Sequence, residues 1–172
     1  MKKGFTVLEM LVAIAVFSML MLCIYTIYMT GLKNYYFGSS EMHLQQQARV
    51  SIQNIMKEIR QSRYSDISIN SGLNSISFKK PINIYTNPAT YSGTITYYLD
   101  SNNKQIIRLD PSGSSKIISS NVNGAQFCCF NGTSCDNSCA SPDTLHVNIE
   151  TQERIMNKTI SYNLTEKIKL RN

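Results

Sequence analysis

The chain has 172 residues, enough for one globular domain with an appendage and too few for several domains. Lys and Arg total 17 against 11 Asp and Glu, a formal net charge of +6. That excess is scattered and includes Lys2 and Lys3 at the start of the chain, so charge alone does not argue for nucleic-acid binding.

From Met10 to Leu32 the sequence reads MLVAIAVFSMLMLCIYTIYMTGL, with no charged residue. About 20 apolar residues at 1.5 Å of rise each span a hydrocarbon core of roughly 30 Å. A secretory signal has a shorter apolar core and ends in a small-residue cleavage site. Here the run is longer and no such site follows, which predicts a retained membrane helix. Lys2 and Lys3 hold the segment before it on the cytoplasmic side, so everything after roughly residue 33 is expected to be exported.

Glu9 is out of place in this setting. It stands one turn into the apolar stretch, between Leu8 and Met10, where a carboxylate without a partner costs at least a few kcal/mol. Two readings are open: a side chain that snorkels to the headgroups, or a charge that meets a partner.

The residues around it bear on that choice. The string Lys3-Gly4-Phe5-Thr6-Val7-Leu8-Glu9, followed by the apolar helix, resembles the class III leader of type IV pilins and type II secretion pseudopilins. The resemblance covers about the first 30 residues. It implies that a prepilin peptidase cuts after Gly4 and methylates the new N-terminal Phe5, and that Glu9 is the assembly residue. It further implies other major and minor pilins or pseudopilins and an inner-membrane assembly platform as partners. An exported substrate or DNA at the filament tip is a weaker implication. The physical logic agrees: cleavage would create a positive amino group on Phe5, and Glu9 of a neighbouring subunit could pair with it where the dielectric is low.

Helical patterning continues beyond the membrane segment. Leu44, Ala48, Ile52, Ile55 and Ile59 recur at spacings of three and four, on one helical face, with Gln46, Arg49, Gln53, Lys57 and Arg60 largely elsewhere. The stripe predicts packing on a sheet, with a coiled-coil seam as the alternative. A helix of some 50 residues is therefore expected from Phe5 to about Ser62, loosened or bent at Gly31 and Gly38.

From Asp66 the pattern changes to short strands, expected at Asp66–Ile69, Ser75–Lys79, Ile82–Tyr85, Thr94–Leu99 and Gln105–Leu109, then Lys116–Ser119, Ala125–Phe130, Thr144–Glu150 and Thr159–Leu164. Alternation is clearest in Leu145/Val147/Ile149 and Ile160/Tyr162/Leu164, as in an antiparallel sheet with one wet face. Asp100–Asn103 and Pro111–Gly113 read as turns. The predicted fold class is α+β: a long N-terminal helix packed on an antiparallel sheet domain. Its divisions are a leader at 1–4, a membrane and assembly helix at 5–32, an amphipathic helix at 33–62 and an exported β-rich domain at 63–172. The order LQQQARVSIQNIMKEIRQS, ITYYLD, KQIIRLD, KIISSNVNGAQF and KIKLRN is similar to that of J-class minor pseudopilins and W-class minor pilins.

Cys23 falls within the membrane helix and reads as a small apolar residue. Cys128, Cys129, Cys135 and Cys139 form a second group. In an exported domain four cysteines point to two disulfides, and neighbours on a strand, which face opposite ways, would bond different partners. Which of them meets Cys135 stays open, and a four-thiolate zinc site is the competing reading. His43 and His146 are isolated, and the aspartates do not make a calcium loop. No nucleophile elbow or phosphate-binding loop occurs, so neither catalysis nor a cofactor is expected. Two further classes stay open: an anchored, exported binding domain that never assembles, and a secreted enzyme cut beyond residue 25.

Overall fold

The computed structural model describes residues 6–83, 90–139 and 144–169. One helix, α1 (Val7–Ile59), runs through the whole first third of the chain. Its contacts divide the chain into two units, Met1–Ser39 and Ser40–Asn172.

In the first unit the helix carries large apolar side chains that nothing covers. Leu8, Leu11, Phe17, Leu22 and Ile27 are all more than half exposed. The stretch contains no proline, and Leu, Met and Ala favour the helix. Gly31 and Gly38 interrupt neither the helix nor any contact, since a Cβ at either would meet nothing within 4 Å. Its most apolar 18-residue window has a mean hydropathy of 2.6, long and apolar enough to cross a membrane.

In the second unit the stripe read from the sequence is the buried face. Leu44, Ala48, Ile52, Ile55 and Ile59 are fully buried, and Ser51 and Met56 join them. The helix ends three residues before the expected Ser62. Its final turn tightens, with Gln61 N donating to Glu58 O at 3.2 Å and Ser62 N to Ile59 O at 2.8 Å.

Eleven strands among the described residues form three antiparallel sheets. They are β1 (Ser68–Ile69), β2 (Ser75–Phe78), β3 (Pro81–Asn83), β4 (Thr90–Tyr91), β5 (Ile95–Asp100) and β6 (Gln105–Leu109). After them come β7 (Ser115–Ser119), β8 (Val122–Phe130), β9 (Cys135–Asp136), β10 (Thr144–Ile155) and β11 (Lys158–Lys169). Five strands order as β1-β2-β5-β6-β7, four as β11-β10-β8-β9, and β3 pairs β4. Ile52, Ile55 and Ile59 share one core with Ile76, Phe78 and Ile106 of the first sheet and Phe127, Val147 and Ile149 of the second. Fully burying each such side chain stabilises by about 1.5–3 kcal/mol, which makes this layer the main source of fold stability. The α+β class, a long helix with antiparallel sheets, is what the structure shows.

Several strand boundaries differ from the expectation. Tyr64–Asp66 is a 3₁₀ turn, so the first strand shrinks to Ser68–Ile69. The expected Ile82–Tyr85 becomes Pro81–Asn83, and residues 84–85 lie outside the described residues. The last hairpin is much longer than expected: β10 runs to Ile155 and β11 from Lys158, with Ile155 opposite Lys158 across a two-residue turn. Thr151 explains part of the shortfall, because it continues the buried alternation with a polar residue. It is fully buried, and its hydroxyl donates to Leu44 O of the helix at 3.3 Å.

Candidate functional site

The start of α1 is closed by its own side chains. Thr6 N donates to Glu9 Oε2 at 2.9 Å, Thr6 Oγ1 to the same oxygen at 3.1 Å, and Glu9 N to Thr6 Oγ1 at 3.3 Å. This is a capping box: the Thr answers the third helical amide while the Glu reaches back to the Thr amide. The Thr-x-x-Glu spacing is plain in the sequence, yet the reading above gave Glu9 no local partner. Its carboxylate has two oxygens, and among the described residues Oε1 accepts no hydrogen bond. Glu9 thus closes the helix with one oxygen and leaves the other for a further donor. Gly4 and Phe5, the expected cleavage and methylation residues, lie outside the described residues.

The second candidate is the cysteine group. Cys128 and Cys129 are the two residues before the last of β8, and both are buried. Cys128 bonds Cys135 and Cys129 bonds Cys139, with Cα–Cα distances of 5.3 and 5.2 Å. The two neighbours on the strand thus take different partners. Between them, Asn131 Oδ1 accepts from Thr133 N at 3.0 Å and Ser134 N at 2.9 Å, folding the exposed loop into an Asx turn. Gly132, at φ 100°, occupies a backbone region that side chains disfavour. Cys23 is a free, exposed thiol on the apolar helix.

A polar network missed by the sequence reading ties α1 to the five-stranded sheet. Glu58 accepts from Lys80 Nζ at 3.1 Å, Tyr97 Oη at 2.9 Å and Arg108 Nε at 2.9 Å. Arg108 also pairs with Asp110. Burial works against the Glu58 charge, but the donors from Arg108, Lys80 and Tyr97 outweigh it and hold the carboxyl below its ordinary range. Burial, then the hydrogen bond to Glu58, pushes the Tyr97 phenol well above its ordinary range. Only the apolar spacing of Ile55 and Ile59 was legible; that the intervening Glu58 faces two cations depends on Lys80 and Arg108, 22 and 50 residues away.

The histidines remain separate. His146 stacks on Phe130 with ring centroids 4.8 Å apart, and burial, helped by Lys167 opposite it on β11, lowers its pKa. His43 is exposed on the helix.

Residues 1–25 match the model of the prokaryotic N-terminal methylation motif. That segment takes in Gly4, Phe5, Thr6, Glu9 and the charge-free run as far as Tyr25. The match supports the type IV pilin and pseudopilin families in general, and it covers the processing signal rather than the β-rich part of the chain. Neither a curated protein nor a solved structure matches the chain.

Proposed function

We propose that this chain is a minor pilin or pseudopilin, a subunit that helps initiate or cap a type IV pilus-like filament. The observation that carries the reading is the methylation motif on residues 1–25, set at the head of an uncovered helix that is long enough to cross a membrane. In this reading a prepilin peptidase removes residues 1–4 and methylates Phe5. The helix over 5–32 anchors the subunit in the inner membrane, 33–62 links it to the exported domain at 63–172, and an assembly platform moves it into the filament beside other pilins. The similarity of the strand order to J-class pseudopilins and W-class minor pilins supports the minor class.

Glu9 would act at the insertion step. The capping box holds its carboxylate at the helix N-terminus, where the helix dipole also favours negative charge. After cleavage, the neighbouring subunit's Phe5 amino group could reach the oxygen that Thr6 leaves open. Attraction between the two charges in a low dielectric would favour the correct stagger and offset the cost of each alone.

The cap and the charge can be separated. Glu9→Gln keeps a side-chain oxygen for Thr6 but removes the charge. Thr6→Ala removes the cap, at about 1 kcal/mol of helix-start stability, and keeps the charge. In cells making the filament, Glu9→Gln is expected to be cleaved normally but lost from sheared filaments, while Thr6→Ala is recovered in most of its normal amount. Recovery of Glu9→Gln at the wild-type level would remove the assembly role and favour an anchored binding domain that does not assemble.

A further inference from the structure

Two cavities of the domain adjoin at Ile118. One, of about 390 Å³, lies between His43, Gln47 and Val50 of α1 and Ile117 and Ser119 of β7. The other, of about 310 Å³, continues past Asn54 and Lys57 of the same helical face, and Gln61 just beyond the helix, to Lys116. Together they make one groove that follows α1 beside β7.

β7 ends the five-stranded sheet, and among the described residues its ladder partner is β6 alone. Its other edge therefore offers a row of main-chain donors and acceptors to an added strand. The floor near one end is apolar: Ile117 is 57 % exposed and Val50 46 % exposed. Gln47 Oε1 is buried there with no hydrogen-bond partner among the described residues, an acceptor that costs stability until a donor reaches it.

The other end is cationic. Lys57, Lys80, Arg108 and Lys116 line it against the single carboxylate of Glu58, which Lys80 and Arg108 already engage. Lys57 and Lys116 are exposed and have no acidic partner among the described residues. A carboxylate is the group this end lacks. A nucleic-acid backbone would need cations along the whole groove, and the Val50–Ile117 half does not supply them.

We propose that the groove takes an extended acidic segment of a partner polypeptide, added as a strand along β7. An apolar side chain of that segment rests on Val50 and Ile117, and a carboxylate lies between Lys57 and Lys116. This goes beyond the filament reading and stands whether or not the chain enters a filament.

The test uses the full chain in detergent micelles and two fluorescein-labelled decapeptides, alternating Val-Asp and alternating Val-Lys, read by anisotropy. The acidic peptide is expected to bind at least about 10-fold tighter than the basic one, given two close charge pairs. The double variant K57E/K116E reverses that order, and Ile117→Lys weakens the acidic peptide by about 10-fold. Binding also slows amide exchange across residues 115–119. All three substituted side chains are exposed, and unchanged melting curves confirm that the variants fold. The proposal fails if the acidic peptide does not bind, if K57E/K116E leaves the order unchanged, if a single-stranded oligonucleotide displaces the peptide, or if exchange in β7 is unaffected.

Discussion

Residues 7–39 and 40–59 lie on the same helix and both carry large apolar side chains, yet they meet opposite surroundings. In the first stretch apolar residues occupy every side and are mostly uncovered; in the second all but Met42 and Val50 keep to one stripe and are buried. The difference lies in the pattern. A helix that is apolar all round requires an apolar solvent, whereas a stripe with a polar back requires a sheet on one side and water on the other. Helix propensity is satisfied in both, so it does not distinguish them.

Truncations should expose the contrast most strongly. Ile55→Ala is expected to cost about 2–5 kcal/mol in urea unfolding followed by β-sheet circular dichroism, because Ile55 is fully buried. Ile14→Ala, at a side chain 61 % exposed on the apolar stretch, should stay within about 0.5 kcal/mol by the same measurement. Equal losses at the two sites would break the comparison.

Next in size is the disulfide pair that closes the stapled loop. Cys129 and Cys139 are 10 residues apart, and replacing both by Ala should cost about 2–4 kcal/mol, read from the urea midpoint with the other bond intact.

Glu58 follows. Glu58→Ala leaves the Tyr97 hydroxyl and Arg108 Nε without their acceptor, at about 1–3 kcal/mol. Its pH dependence has a definite sign. The folded carboxyl is held below its ordinary value of 4.5, so its stabilising share is complete above that value and is lost as pH falls through the lower folded value. Urea midpoints between pH 6 and about pH 3 should therefore fall more steeply for the wild type than for Glu58→Gln. Parallel slopes would show that the network does not govern acid stability.

The smallest effect is expected at Thr151. Thr151→Val keeps the volume but removes the donor to Leu44 O, for about 1 kcal/mol.

What the sequence disclosed follows the same division. The apolar saturation of Met10–Leu32 and the stripe from Leu44 to Ile59 are local patterns, and local patterns are legible. The capping box was legible too, since Thr6 and Glu9 are three residues apart. The Glu58 network was not, because its donors come from β5, β6 and Lys80. The turn between β10 and β11 gave no signal either: Met156 adopts φ 54° where Gly or Asn is usual. Disulfide formation could be expected from the four cysteines, but their pairing needed the strand–loop geometry of β8 and β9.

The central claim is that the N-terminus is a processing signal in front of an assembly helix, and intact mass tests it most directly. The full chain is expressed with and without a prepilin peptidase, and the N-terminal residue and mass are determined. The account predicts a product that has lost residues 1–4, begins at N-methylated Phe5 and retains the apolar helix. A chain left uncut by an active peptidase would contradict it.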